Sequence, residues 1–199
     1  SMYVTSGKKI FEIKKRKYIK TISNNLFNDL HCITFSLMGN ILVTSTGTDS
    51  ILEVYKNNKK GKMYWDWLAT ENGFDINPSG IKRVIKRDFD YRSITTTTPD
   101  HTTHINSVIN DRPNRILATL FHQGQLIEIN KKTKKVSVLL SGLKSLHNIR
   151  ETRDGFILSD SRANRVLLID NRFKIQKVLK SGFNWVQDAI ELADEKQYL

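Results

Sequence analysis

His147-Asn148-Ile149-Arg150-Glu151-Thr152-Arg153-Asp154-Gly155, then Phe156-Ile157-Leu158-Ser159-Asp160, the polar step Ser161 to Asn164, Arg165-Val166-Leu167-Leu168-Ile169-Asp170 and Lys174-Ile175-Gln176-Lys177-Val178-Leu179 read as short apolar strands separated by polar turns. The same order recurs outward from this stretch. His104-Ile105-Asn106-Ser107-Val108 opens a copy that continues through Ile116 to Leu120, Gln125 to Ile129 and Val136 to Leu140. His31-Cys32-Ile33-Thr34-Phe35 opens another, with Ile41 to Thr46, Ile51 to Tyr55 and an aromatic outer strand at Met63-Tyr64-Trp65-Asp66-Trp67-Leu68. A further copy begins at Trp185-Val186-Gln187-Asp188-Ala189-Ile190. Met2 to Ser6, Ile10 to Ile13 and Tyr18 to Ile22 read as the outer three strands of a copy that lacks its first strand.

His104 to His147 is 43 residues and His147 to Asp188 is 41, the length of one four-stranded propeller blade. The fold expected is all-β: a propeller of four-stranded antiparallel blades, about four of them, spanning residues 1–199 as one domain. The N-terminal strands would complete the last blade. Gln197-Tyr198-Leu199 and Met2-Tyr3-Val4 both resemble the start of a second strand, so five blades or an assembly of partial rings stays open. His31 to His104 is 73 residues, longer than a blade needs. The excess, at about residues 68–103, is read as an insertion that caps the ring's opening, with an extra blade of weak sequence as the alternative.

The 199 residues hold 39 % hydrophobic and 26 % charged side chains, which excludes a disordered tail and supports one sizeable core. No stretch has the length of apolar residues that a membrane helix needs, and no secretory leader precedes the first strand. Ser1-Met2 resembles a tag-cleavage scar. With one cysteine, Cys32, read as a small buried side chain, a cytoplasmic location is expected. The net charge of +12 invites a nucleic-acid reading. Yet the clusters Lys8-Lys9, Lys14 to Lys17, Lys56 to Lys62, Lys82 to Arg87 and Lys131 to Lys135 fall where turns and outer strands belong, and no nucleic-acid motif accompanies them. Nucleic acid is therefore the third choice of partner, and no membrane partner is expected.

Aligning the copies at the residue before the innermost strand gives His31, His104, His147 and Asp188. In a propeller such positions face one channel mouth. Three imidazoles and a carboxylate could ligate a divalent metal (Zn, Fe, Mn or Ca), bind a small anionic substrate, or act as catalytic nucleophile and general acid. They could also serve only the blade backbone. Asn28, Asn106, Asn148, Asn184 and Gln187 stand close enough in sequence to orient the imidazoles or bind a ligand. Arg150 could add positive charge, and Trp185 packs between blades or stacks on a ligand. His101, three residues before His104, has the spacing of a metal pair on a helix, but its Thr-rich surroundings assign it to the cap loop. His122 is expected to be solvated in a turn.

Phe183-Asn184-Trp185-Val186-Gln187-Asp188-Ala189-Ile190-Glu191-Leu192 resembles the Asn-Trp-x-x-Asp-Ala-x-x-Leu blade motif of arylsulfotransferase-like β-propellers. His104 to Val108 and Leu146-His147-Asn148 are similar to the His-Asn blade openings of that superfamily. The resemblance implies a sulfate-ester or other anion site in which His31, His104 or His147 accepts the sulfuryl group. The enzymes of that family are longer, six-bladed and exported, so fold transfers more safely than reaction. The function expected is an enzyme with a His-lined central site, acting on a small anionic or phenolic substrate by group transfer or by metal-assisted lyase or hydrolase chemistry. The alternative is a non-catalytic ligand-binding or interaction scaffold, and a homo-oligomer is open in either case.

Overall fold

The structure is a computed structural model that describes residues 1–180, 182 and 184–192. Alternating side chains and tight polar turns make antiparallel meanders throughout. β1 (Met2–Ser6), β2 (Lys9–Lys14) and β3 (Lys17–Ile22) form a three-stranded sheet. Three four-stranded sheets follow in chain order. The first holds β4 (Leu30–Phe35), β5 (Ile41–Ser45), β6 (Ser50–Val54) and β7 (Met63–Leu68). The second holds β8 (Ile105–Arg112), β9 (Arg115–Leu120), β10 (Gln125–Asn130) and β11 (Val136–Leu140). The third holds β12 (Leu146–Glu151), β13 (Gly155–Asp160), β14 (Arg165–Asp170) and β15 (Ile175–Lys180). Each is a simple up-and-down blade, and the fold is a β-propeller as the repeat predicts.

Neighbouring blades meet through their first strands, β4 against β8 and β8 against β12, and through a second strand against the next blade's first, β5 against β8 and β9 against β12. β1 touches β4 as those second strands do. The N-terminal sheet therefore supplies the second to fourth strands of a blade, as its sequence suggests. Between blades lie apolar layers. Leu42, Ile51 and Trp67 pack on Ile105, Val108 and Ile116, and Leu117 and Leu126 pack on Leu146, Ile149 and Leu158. At about 25 cal/mol per Å² of apolar surface, these layers are the main favourable term holding blade to blade.

Trp185 to Ile190, expected to be an innermost strand, is irregular, because among the described residues no second strand lies beside it to take its backbone hydrogen bonds. Its place is nonetheless that of a first strand: the Val186 carbonyl accepts from Ser161 Oγ just as the Ile105 carbonyl accepts from Thr46 Oγ1. Gln197 to Leu199, on which the overlap with the N-terminus was read, lie outside the described residues, as does Phe183.

Residues 69–104 have no strand of their own, which removes the extra blade from consideration. They pack over the turns at 24–29 and 46–49. Ile85 and Tyr91 join the apolar cluster of Ile10, Ile22, Leu26 and Phe27. The Tyr91 N–H donates to the Asn25 carbonyl, and Lys8 Nζ donates to the carbonyls of Arg92 and Ile94.

Candidate functional site

Backbone register corrects the column of aligned residues. Leu30, Ile105 and Leu146 each pair with the last residue of the second strand in their blade, and the residue before each, Asp29, His104 and Ser145, is left-handed with φ of 50°, 49° and 60°. His104 therefore belongs with Asp29 and Ser145. His31 and His147 belong with Asn106, and Gln187 follows Val186 in the same place. The two histidines make the same contact: Nδ1 of His31 lies 3.0 Å from the Asp29 carbonyl and Nδ1 of His147 lies 3.2 Å from the Ser145 carbonyl. Asp, His and Ser at the left-handed position spend backbone strain there, which glycine would avoid.

Around the blade starts runs a belt of rings in edge contact. His104 lies 5.0 Å from His31, 5.1 Å from Phe121 and 5.8 Å from His122 between centroids; Phe121 lies 5.3 Å from His147, and His147 lies 5.2 Å from Trp185. His101 is nearly parallel to His104 at 5.0 Å, with their Nδ1 atoms 2.7 Å apart. Both are buried, and burial pushes His101 down to about 4 and His104, with His31, His101 and His122 around it, down to about 2. Burial also lowers His147. His101 and His104 are neutral at pH 7.

The proton positions follow from the partners. Asn28 Nδ2 donates to the carbonyls of Tyr91 and Ile94, so Asn28 Oδ1 is the acceptor for Thr96 Oγ1 at 3.1 Å. Having given its only proton, the Thr96 hydroxyl must accept from His101 Nε2 at 2.9 Å. His101 Nδ1 is then a lone pair, and the proton between the two rings belongs to His104 Nδ1. In the same way Ser161 Oγ donates to the Val186 carbonyl and accepts from His147 Nδ1 at 2.7 Å, while His31 Nδ1 donates to the Asp29 carbonyl. His31, His104 and His147 thus share one arrangement, with Nδ1–H tied to the protein and Nε2 without a partner among the described residues. Gly47 permits the first relay: a Cβ there would lie 2.0 Å from Asn28 Oδ1.

What holds His104 in place is Asp49, which is fully buried. Its carboxylate accepts from the backbone N–H groups of Thr102 and Thr103 at 2.8 Å and of His104 at 3.0 Å, from Thr103 Oγ1 at 2.8 Å, and from Arg83 Nη1 at 2.5 Å. One buried anion so gathers the end of the 69–104 segment onto the first four-stranded blade.

Below the belt the first strands line a groove of about 830 Å³, with His31, Asn106, His147 and Gln187 at one end and Phe35, Asn110 and Glu151 at the other. A polar row crosses it: Ser107 Oγ donates to Asn148 Oδ1 at 2.7 Å, and Asn148 Nδ2 donates to Asp188. Asp188 closes the row as the partner of Arg150 at 2.5 Å. Partial burial alone would raise the Asp188 carboxyl, but hydrogen bonding and charge from Arg150 outweigh it and hold the group below its ordinary range. Burial pushes the Cys32 thiol in this groove up, which favours the neutral thiol.

Of the residues singled out by sequence, His31, Asn106, His147, Asn148, Arg150, Gln187 and Asp188 line one groove, and His101 and His104 sit beside it through His31. The three histidines of the column do not converge with Asp188 as one ligand set. The carboxylate within metal-sharing distance of imidazoles is Asp29, whose ligand atom lies within 4.8 Å of those of His101 and His104. Asn28 is an orienting residue in fact, Trp185 edges onto His147, and Asn184 is exposed. His122 is half-buried, its Nε2 donating to the Thr98 carbonyl. Asp29, Asp49, Arg83 and Thr96 escaped the sequence reading. Asp29 and Asp49 sit at left-handed turn positions, where Asp is chosen for backbone reasons too, and Arg83 is concealed in a lysine-rich cluster.

No family model and no curated protein matches the chain. Solved structures do. A catalytically inactive histidine-to-alanine variant of virginiamycin B lyase from Staphylococcus aureus, with quinupristin, is similar over 89 % of this chain and 50 % of its own, with a TM-score of 0.56 and 14 % identity. A protein of unknown function from Bacteroides caccae matches over 90 % of this chain and 57 % of its own, with a TM-score of 0.54 and 13 % identity. The extracellular domain of a putative one-component system from B. thetaiotaomicron matches over 94 % of this chain and 23 % of its own, with a TM-score of 0.57 and 16 % identity. The chain spans about half the length of the lyase structure. At such identities the likeness establishes the propeller fold and nothing finer. No family match supports the arylsulfotransferase resemblance, and no helix among the described residues is long and apolar enough to cross a membrane.

Proposed function

We propose that this propeller is part or all of an enzyme whose reaction takes place where the histidine belt meets the groove, on a small substrate carrying an anionic or phenolic group. The observation that carries the reading is the shared arrangement of His31, His104 and His147: a neutral imidazole with Nδ1–H fixed by the protein and Nε2 bare is the form that takes a proton or attacks an electrophile. His104 is the best-held of the three, through Asp49 on its backbone and His101 on its ring. It is too weak a base and too buried to take a proton from substrate, and it acts by holding His31; His31 and His147, whose rings line the groove, are the candidate general bases. Asn106, Asn148 and Gln187 offer amides to the substrate, and Asn106 Oδ1, buried without a partner, is an acceptor for a substrate hydroxyl.

In an elimination the imidazole would take the substrate's proton at Nε2 as the bond to the leaving group breaks, and would return that proton to the departing group. The sulfuryl transfer implied by the sequence resemblance would use the accessible imidazole, His31, as acceptor. The structural likeness to virginiamycin B lyase makes quinupristin a sensible member of a substrate panel, beside aryl sulfates and phenolic esters. Turnover of one of these by the purified protein, reduced at least about 100-fold by His147→Ala with the fold retained, is the expected result. Turnover unchanged in His147→Ala, or saturable binding without turnover, would replace this reading by a different site or by a ligand-binding scaffold.

A further inference from the structure

We infer that Asp29, His101 and His104 form a binding site for a transition-metal dication of the Zn(II) type, linking the first and second four-stranded blades. One ligand atom from each side chain lies within 4.8 Å of the other two. The two imidazoles are the pair whose Nδ1 atoms already converge at 2.7 Å, with a single proton between them. Zinc bonds to nitrogen at about 2.0–2.1 Å, which places two ligand nitrogens of a tetrahedral site roughly 3.3 Å apart. The rings therefore need to separate by about half an ångström and to turn, so that both lone pairs point at a metal lying off the line between the two nitrogens.

The chemistry of the donors favours this class of ion. Two imidazole nitrogens and one carboxylate oxygen suit Zn(II) and its first-row neighbours, and they do not suit Ca(II), which asks for six or more oxygens. His101 is already oriented by the hydrogen bond from Nε2 to Thr96, itself tied to Asn28, which is the outer support that metal-bound histidines commonly have. The Asp29 side chain is 40 % exposed, so the ion has a way in and a fourth position stays open to solvent. The Arg83 charge nearby is neutralised by its pairing with Asp49.

Protons balance without an added reactant. The His104 proton leaves Nδ1 as the metal arrives there and is taken up at Nε2 through solvent, leaving both imidazoles neutral. Metal binding is measured by heat and does not depend on whether His31 or His147 serves as a base.

The test is calorimetric titration of chelator-treated full chain with zinc chloride at pH 7. One equivalent is expected to bind in the micromolar range or tighter. Asp29→Asn, which keeps a residue at ease in the left-handed conformation, should weaken binding at least tenfold, and His101→Gln should do the same. His147→Ala should leave binding within threefold. Absence of binding at 100 µM zinc overturns the inference. So does binding unaffected by both Asp29→Asn and His101→Gln, or binding lost in His147→Ala. Circular dichroism of each variant separates loss of ligand from loss of fold, and because His101 is buried, the exposed Asp29→Asn decides the matter if His101→Gln unfolds.

Discussion

The turns Thr46–Thr48 and Ser161–Ala163 stand at the same place in two blades, each a single 3-10 turn after the second strand and each closed by a left-handed residue, Asp49 with φ of 47° and Asn164 with φ of 52°. Their hydroxyls do the same work, Thr46 and Ser161 each donating to the carbonyl of the next blade's first strand. They differ in the last side chain. The amide of Asn164, with its nitrogen turned toward them, donates to the carbonyls of Ser161 and Asn184 and to nothing else among the described residues. The carboxylate of Asp49 gathers three backbone N–H groups, a threonine hydroxyl and Arg83. A repeated turn has thus become an anchor, because beside it an inserted segment could fold down and end on a buried anion.

Replacing each turn-closing residue by glycine breaks this comparison most directly, since glycine keeps the left-handed backbone and removes only the side chain. Asp49→Gly leaves buried donors and a guanidinium without their partner, and should destabilise by about 3–5 kcal/mol, seen as a fall in Tm of about 10 °C. Asn164→Gly should cost about 1 kcal/mol or less by the same melt. Equal losses would mean that Asp49 is an ordinary turn residue.

Acid sharpens the contrast. His101 and His104 have folded pKa values of about 4 and about 2, below the unfolded 6.5, so the unfolded chain takes up their protons first as pH falls. Their contribution is present in full above about pH 6.5 and is lost progressively down to pH 4 for His101 and toward pH 2 for His104. Denaturant unfolding between pH 7 and pH 4 should show a steep loss, made shallower by His104→Ala. Parallel profiles would show that these imidazoles are not buried as neutral groups.

Thr96→Val is a smaller change, expected to cost about 1–2 kcal/mol in urea unfolding, because it orphans His101 Nε2–H and the Asn28 acceptor. Smallest is Asp188→Asn. The Arg150–Asp188 pair is nearly half exposed on both sides, and its loss should change stability by about 0–1 kcal/mol.

Local patterns carried the fold in the sequence. Alternation and turn residues place β7 at Met63–Leu68 and β11 at Val136–Leu140 to the residue, and the charge clusters fall in turns such as Lys15-Arg16 and Lys131 to Lys135 as expected. Register did not come through. A left-handed residue precedes each first strand, and the pairing shifts just inside it, so a count from histidine to histidine aligned His104 two places out of step with His31 and His147. Trp185 to Ile190 has the composition of a strand, but pairing is a property of two segments and not of one. The His101–His104 pair was visible as a spacing and set aside because threonines surround it. It forms without a regular helix, since the 3-10 turn Thr98–Asp100 and the positive φ of His104 fold the rings onto each other. Asp49 is the deeper omission: its partners lie 34 to 55 residues away, and nothing in Thr46-Gly47-Thr48-Asp49 announces them.

The claim on which the site rests is where the protons sit. Long-range nitrogen–proton correlation NMR of the histidine side chains at pH 7 reads this directly. The account expects His101 protonated on Nε2, and His31, His104 and His147 each protonated on Nδ1 with Nε2 bare. A proton on Nε2 of His104, or a charged His101–His104 pair, would contradict it.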